Sequence, residues 1–333
     1  KSRVLANALG ELMADASRVF VMGHKYPDMD CIGAAAGVCA MARKKGAPVH
    51  IIKEAGQNPA SEMSERLGGL GEYKDVFLSQ QDAILLADAN CLLVVVDTNR
   101  PEQVVSQDLL EAVHKVAVID HHRRASSYIA DAALNFHEPY ASSASELVTE
   151  LLQYIAEPTD LLRTEAEALL AGIVLDTKNF TMRTGGRTFE AAAFLRRNGA
   201  DVVRVRKLFR DKLEDYKARA EAIQKAEIFK EYFAISECPA EGIESPTVVG
   251  AQAANEMLDI VGIKASFVLT HLDDTIYFSA RSIDEINVQI MMEKMGGGGH
   301  RTIAGAQLKG ATIEEAKVKL KEIITDMLEK GDI

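Results

Sequence analysis

The stretch Val19-Phe20-Val21-Met22-Gly23-His24-Lys25-Tyr26-Pro27-Asp28-Met29-Asp30 decides how the rest of the chain is read. Its first part is apolar, strand-length and rich in β-formers. Gly23 and Pro27 then break it, and Cys31 to Met41 has helical character. One imidazole and two carboxylates therefore fall in a strand-to-helix loop, which is where open α/β sheets bind ligands. The cluster reads as a metal site in which Asp28 and Asp30, two apart in a Pro-constrained loop, can face different ions. The alternative is a helix N-cap by Asp28 or Asp30 beside a solvated His24.

Working outward, the same pattern recurs. Leu92 to Val96 is a fully apolar strand of the kind buried on both faces of a parallel sheet, and it ends in Asp97-Thr98-Asn99-Arg100-Pro101. Val116 to Ile119 ends in Asp120-His121-His122-Arg123-Arg124. Three strands of one parallel sheet would bring His24, Asp28, Asp30, Asp97, Asp120, His121 and His122 to one edge. Asp176 follows a helix predicted over Leu161 to Leu175; an acid there opposes the helix dipole unless a cation offsets it, so Asp176 is a further candidate ligand. Ser143-Ala144-Ser145-Glu146 reads as a capping box opening a helix over Ser145 to Ile155, in preference to a ligand role for Ser142 or Ser143. Helices are also expected over 1–16, 83–87 and 106–112 and a strand over 48–52, while 54–71 carries no assignment.

Residues 187–230 are helical and increasingly charged, with the basic run Arg204, Arg206, Lys207, Arg210 and Lys212 read as a solvated face. They connect to a separate α/β unit over 231–333, with strands over 232–236, 267–271 and 275–281 and helices over 252–258, 288–294 and 312–328. Between them lies Gly296-Gly297-Gly298-Gly299-His300. Four glycines in a row expose backbone N–H groups to an approaching phosphate or nucleotide; a plain flexible loop is the alternative.

At 333 residues, 47% hydrophobic and 26% charged, the chain has room for two domains and the composition of a soluble protein. Its longest apolar stretch, Cys91 to Val96, is far short of the about 20 residues of a membrane span. The net charge of -11 argues against long nucleic acids as partners but leaves room for a small phosphorylated ligand. Cys31, Cys39, Cys91 and Cys238 lack CxxC spacing and read as buried free thiols of a reducing compartment. The expectation is a cytoplasmic chain without membrane contact of its own. Its start at Lys1 also fits a cytoplasmic fragment of a longer, membrane-anchored protein.

Carboxylates and imidazoles without thiolate suit Mn²⁺, Mg²⁺, Co²⁺ or Fe²⁺ better than structural zinc. Two such ions about 3.5 to 4 Å apart serve phosphoryl hydrolysis and need a carboxylate between them, for which Asp97 is the candidate. The motifs His24-Lys-Tyr-Pro-Asp28-Met-Asp30, Asp97-Thr-Asn-Arg100, Asp120-His121-His122 and Leu175-Asp176-Thr resemble those of the DHH phosphoesterases. Gly296 to His300 resembles the GGGH signature of the associated DHHA1 domain, and the wording is most similar to the GdpP-type cyclic-di-AMP phosphodiesterases.

That resemblance implies an α/β DHH domain over 1–186 with a mostly parallel sheet flanked by helices, a helical linker over 187–230 and a smaller α/β DHHA1 domain over 231–333. It implies two Mn²⁺, with His24 and Asp28 on one ion, Asp30, His121 and Asp176 on the other, and Asp97 shared. Asp120 would orient the neighbouring imidazole and His122 would face the substrate phosphate. Gly296, Gly297, Gly298, Gly299, His300, Arg281 and Asn287 would hold the nucleotide across an interdomain cleft, with Arg301 standing where many relatives carry a hydrophobic residue. The implied reaction opens cyclic di-AMP to linear pApA by water attack. Alternatives on the same site are a pAp or short-oligonucleotide hydrolase, a RecJ-like exonuclease, or a family II pyrophosphatase; a nucleotide sensor without turnover is a fourth. GdpP-type relatives carry membrane helices, a PAS and a degenerate GGDEF domain before the catalytic unit, and none is visible in this sequence. A homodimer through helices is compatible with the apolar positions of 187–230.

Overall fold

Short apolar runs separated by helical segments pair into a parallel sheet, because only a crossover of helix length returns the chain to the same strand direction. The computed structural model describes residues 1–331 apart from Ala125, Asp284 and Glu285. The expected C-terminal domain also takes in Asp284, Glu285, Asp332 and Ile333, which lie outside the described residues. The chain divides into two units, one over Lys1–Arg210 and one from Asp211 onward.

In chain order the first unit contains α1 (Ser2–Asp15), β1 (Val19–Met22), α2 (Met29–Lys44), β2 (Val49–Ile52), α3 (Ser61–Gly68), β3 (Phe77–Leu78), α4 (Gln80–Leu86) and β4 (Leu92–Val96). There follow α5 (Gln107–Ala112), β5 (Lys115–Asp120), β6 (Leu134–His137), α6 (Ala144–Ile155), α7 (Arg163–Asp176), α8 (Gly186–Arg197) and α9 (Val202–Lys207). The strands run β3-β2-β1-β4-β5-β6, all parallel. Their order reverses between β1 and β4, so the carboxyl ends of these neighbours form the switch point of the sheet. His24 follows β1, Asp97 follows β4 and His121 follows β5, which places all three on one sheet edge as the sequence led us to expect.

Both faces of this sheet are covered, which is why its strands read as unbroken apolar runs. Val19, Val21, Val94, Val96 and Ile119 pack under α1, α2, α6 and α7, while Phe20, Met22, Leu93, Val95 and Val118 pack under α4 and α5. Helix α2 is buried from Met29 to Ala42. A Cβ on Gly33 would lie 2.4 Å from the Ala168 carbonyl oxygen of α7, and one on Gly37 would lie 2.4 Å from Val148 Cγ1 of α6. These glycines thus serve close helix-on-helix contact.

Helix α7 is pinned at its start by the buried carboxylate of Glu165. It accepts from Arg43 Nη1 and Nη2, both at 2.8 Å, from Tyr73 Oη at 2.9 Å and from Leu162 N at 2.9 Å. Removing one donor leaves a buried charge short of a partner, so Tyr73→Phe is expected to lower unfolding free energy by about 2 kcal/mol in urea titration. A loss below about 0.5 kcal/mol, the range of an ordinary surface change, would contradict this account of Glu165.

The helical stretch 187–230 is divided between the two units. Ala191, Leu195 and Val205 join the first core, and Ala218 and Ala222 of α10 (Leu213–Gln224) join the second. Arg204, read from sequence as part of a solvated face, instead holds the buried carboxylate of Glu167 together with Arg163.

The second unit continues with β7 (Glu227–Phe229), β8 (Phe233–Cys238), α11 (Pro246–Met257), β9 (Ala265–Leu272), β10 (Thr275–Ser282), α12 (Val288–Lys294), β11 (Gly298–His300), β12 (Ile303–Lys309) and α13 (Ile313–Lys330). The sheet order is β11-β12-β10-β9-β8-β7, antiparallel except for the parallel pair β8 and β9. Helices α12 and α13 cover one face through Met291, Met292, Leu320 and Ile324, and α10 and α11 pack on the other through Ala222, Val249 and Ala253. The four cysteines are buried and unpaired. Among the described residues, no helix is long and apolar enough to cross a membrane.

Candidate metal centre

The loop after β1 is built around Gly23, because a Cβ there would meet Cys31 Sγ at 2.1 Å and the Val96 carbonyl oxygen at 3.1 Å. Val105 N donates to Gly23 O and Lys25 N to Gln103 O, which fixes the loop against the segment after β4. Asp28 then caps α2, its Oδ1 accepting from Asp30 N at 2.9 Å and Cys31 N at 3.0 Å. The capping and ligand readings of Asp28 are therefore compatible, since Oδ2 takes no hydrogen bond among the described residues.

Asp30, in the first turn of α2, is fully buried. Its carboxylate accepts from Ala144 N at 2.7 Å and Ser145 N at 2.8 Å, the first backbone donors of α6. A helix N-terminus is a favourable seat for an anion, so α6 orients Asp30 from across the domain. Ser143 caps α6 through its hydroxyl, but the capping box expected from sequence is only half formed. The Glu146 carboxylate instead reaches Ser142 N, Ser142 Oγ and Thr188 Oγ1.

Asp97 is held in the left-handed region at φ +59 immediately after β4, a conformation that costs a non-glycine residue energy and that accumulates at functional sites. Its two oxygens point to different groups: Oδ2 lies 3.3 Å from His24 Nε2 and Oδ1 lies 3.3 Å from His121 Nε2. His121 Nε2 is also 3.1 Å from Asp176 Oδ2, at the last residue of α7, and 3.7 Å from Asp30 Oδ2. Yet Asp97 Oδ1 and His121 Nε2 are both buried without a properly aligned hydrogen bond. Buried polar atoms that converge and remain unsatisfied suit a cation placed among them. Three groups of donor atoms lie within 4.8 Å of one another: His24 with Asp28 and Asp97, Asp30 with His121 and Asp176, and Asp97 with His121 and His122; the first two, each with two carboxylates, are the candidate ligand groups. The oxygen and imidazole donors fit a hard or borderline divalent metal.

The electrostatics agree. Burial, with the neighbouring Asp97 charge, pushes the carboxyls of Asp28 and Asp30 up. Burial also pushes Asp97 up, but His121 and His24 outweigh it and bring it down to about 2. For His24 and His121, burial works against charging and the adjacent carboxylates overcome it, so both are raised. Carboxylates outnumber imidazoles in the two groups, leaving a deficit of positive charge that a divalent cation supplies.

Asp120 is fully buried at the end of β5 and lies outside both groups. Its Oδ1 accepts from His122 Nδ1 at 2.8 Å and from His122 N at 3.2 Å, and its Oδ2 accepts from Asn99 Nδ2. The imidazole it orients is thus His122, whose side chain is 55% exposed and is raised in pKa chiefly by that bond. A cavity of about 500 Å³ opens here, with His24, Asp28, Asp97, His122 and Asp176 on its wall. Asn99 was not singled out from sequence; its place two residues after Asp97 in a strand-end loop was the available signal. The α6 donors to Asp30 had no such signal.

In the second unit the four glycines do not form an open loop. Gly298 to His300 is strand β11, paired with Ile303 to Gly305 of β12. A Cβ on Gly297 would lie 2.1 Å from Gly305 O, and one on Gly299, at φ +146, would lie 2.5 Å from Ala304 Cα. Close backbone approach therefore demands glycine at both positions, and Gly296, at φ +85, makes the turn into them. Registers Arg281 to Ile303 and Ile303 to His300 put Arg281 and His300 in one row of one sheet face, beside a row of Ser279, Gly305 and Gly298. Arg281 donates to Asn255 Oδ1 at 3.0 Å and Ala280 O at 2.9 Å, both neutral acceptors, and burial lowers its pKa. Asn287 stands apart from this row, capping α12 by accepting from Gln289 N.

Comparison with known proteins agrees with this geometry. Residues 18–173 match the family model described as DHH family, N-terminal domain, and residues 233–329 match the DHHA1 domain. The chain is 42% identical over 335 residues to the cyclic-di-AMP phosphodiesterase GdpP of Geobacillus thermodenitrificans, covering 99% of this chain and 51% of that protein. It is 42% identical over 336 residues to the cyclic-di-AMP phosphodiesterase PdeA of Listeria monocytogenes, covering 100% of this chain and 51% of that protein. The chain thus spans about half the length of these curated relatives. The crystal structure of an exopolyphosphatase-related protein from Bacteroides fragilis shares the fold, with a TM-score of 0.78 at 20% identity over 97% of this chain and 96% of that one. The chain belongs to the DHH family, with the DHH domain in its first unit and a DHHA1 domain in its second.

Proposed function

We propose that this chain hydrolyses cyclic di-AMP to linear pApA, using two divalent cations, Mn²⁺ foremost, held in the first unit. The observation that carries the reading is the division of the Asp97 carboxylate, with one oxygen toward His24 and the other toward His121. A carboxylate so divided suits a bridge between two ions. His24 and Asp28 would hold one, and Asp30, His121 and Asp176 the other. Such ions, when bound, acidify an attacking water and offset charge on the phosphate oxygens. The names of the relatives supply the substrate class.

The chain's own residues then have definite tasks. Water oxygen attacks phosphorus, the bond from phosphorus to the 3′ oxygen breaks, and the released 3′ oxygen takes a proton. His122, fixed through Nδ1 by Asp120, presents Nε2 to a phosphate oxygen and stabilises the charge that develops there. In the second unit Arg281, held only by neutral partners among the described residues, has its charge free for a second phosphate. The row of Gly298 and Gly305 next to Arg281 and His300 offers a flat floor on which a nucleotide can lie. Gly296, Gly297 and Gly299 shape that hairpin, and Asn287 supports it by capping α12.

The test is product analysis after incubating the purified chain with cyclic di-AMP and Mn²⁺, with pApA and a long single strand as parallel substrates. We expect pApA from cyclic di-AMP, stopped by chelation. Faster cleavage of pApA or of the long strand would transfer the assignment to an oligonucleotide hydrolase or exonuclease, and binding without turnover to a sensor. Asp120→Asn should retain Mn²⁺ binding while kcat falls about 10- to 100-fold, because it loosens His122 without touching either ligand group. Loss of Mn²⁺ in that variant, read by metal analysis, would instead make Asp120 part of the ion sites.

A further inference from the structure

We propose that the first unit contains a second pocket, beside the metal centre, that takes a neutral purine nucleoside portion of the substrate; the role assigned to it rests on the functional reading above. At the carboxyl ends of β1 and β2, between α2 and α3, lies a cavity of about 460 Å³. That is the size of a small-molecule site, roughly 300 to 1,000 Å³. Ile32, Ala35, Ile52 and Phe77 form its apolar walls, and Phe77 supplies an aromatic face of the kind on which bases stack.

Its polar groups suit a base better than a phosphate. The charged side chains on its wall are Lys53, Glu54 and Glu65, so two carboxylates face one ammonium and an anion gains nothing there. Asn58 Oδ1 is engaged by Ala60 N, which leaves the Asn58 amide nitrogen as a donor, and Gln57 adds a second carboxamide. Directional donors and acceptors around an apolar slot are what ring nitrogens and an exocyclic amine require.

The pocket is also connected to the chemistry. A smaller cavity of about 290 Å³ shares Gln57 and Asn58 with it and shares Lys25 and Tyr26 with the cavity at the metal centre. Pro27, within the loop of His24 and Asp28, and Cys31, just after Asp30, form part of the wall of the cavity of about 460 Å³. A dinucleotide with one phosphodiester at the ligand groups can therefore extend a nucleoside along this line of cavities.

Ser64→Phe tests the proposal. The Ser64 hydroxyl lines the cavity and makes no hydrogen bond among the described residues, so the change places a ring in the pocket without removing a bond. The readout is kcat/KM for cyclic di-AMP divided by that for bis-(p-nitrophenyl) phosphate, which has no base; misfolding or metal loss lowers both alike. We expect that ratio to fall at least about tenfold, with saturation-transfer NMR showing weakened adenosine binding to the metal-free variant. An unchanged ratio overturns the pocket. If the unaltered chain does not cleave cyclic di-AMP, the functional reading fails, and adenosine binding then decides the pocket alone: equal affinity in both proteins overturns it.

Discussion

Asp97→Asn is expected to remove Mn²⁺-dependent turnover, lowering kcat by at least about 10³-fold. Asparagine is the informative replacement because it tolerates the left-handed conformation that Asp97 adopts at φ +59, whereas alanine would add backbone strain. Shape and backbone are kept, and what disappears is the charge that both imidazoles face, His24 through Oδ2 and His121 through Oδ1. If Asp97 joins two ions, the variant loses affinity at both places at once. Removal of His24 alone should spare the group of Asp30, His121 and Asp176. Thermal melting in a Mn²⁺ titration reads this directly, since a ligand at 100 times its Kd stabilises by about 2.7 kcal/mol. The unaltered chain should show that rise and Asp97→Asn should not. Turnover within about tenfold of the unaltered chain would sink the shared-carboxylate assignment.

The candidate cluster was legible because its members lie where an apolar strand or helix ends abruptly, or in the loop and first helical turn just after it. Strand periodicity and the rule of the switch point were enough to gather His24, Asp97 and His121 on one edge. What lay beyond reach was the support for those residues, because it depends on contacts remote in sequence. Asp30 is seated by backbone donors of Ala144 and Ser145, and no local pattern connects residue 30 to residue 144. The open-loop reading of the glycine run failed for a different reason. Ile303-Ala-Gly-Ala-Gln-Leu-Lys309 has little β-propensity, so its strand is imposed by pairing with β10 and β11. Edge strands β3 and β6 are short, and the partition of 187–230 falls in the gap between α9 and α10, with Leu195 in one core and Ala222 in the other. Sequence thus gathered the candidate residues, while the steric framework around them needed three dimensions.

That framework yields the second large effect. Gly172 lies on α7 one turn before Asp176, and a Cβ there would stand 2.2 Å from Ser145 Oγ, 2.8 Å from Asp30 Oδ1 and 2.9 Å from Asp30 Cα. The Ser145 hydroxyl could swing aside, but the Asp30 backbone belongs to α2, which is buried along nearly its whole length. Gly172→Ala must therefore push α7 from α2. Residues one turn apart share a helix face, so Asp176 moves with the displaced backbone while Asp30 is pressed out of its seat on α6. Two ligands of the same group shift from a single methyl. We expect a stability loss of about 1 to 3 kcal/mol from overpacking, and Mn²⁺ affinity lower by about 10- to 100-fold. Gly172→Val should be worse on both counts. Gly68→Ala is the matched control, because its Cβ meets only the Phe77 ring, at an ordinary 3.9 Å, and should cost nothing in either measurement. Gly172→Ala with unaltered Mn²⁺ affinity would show that the spacing of α2 and α7 does not set the position of Asp30 and Asp176. In that case the α6 donors alone must hold Asp30.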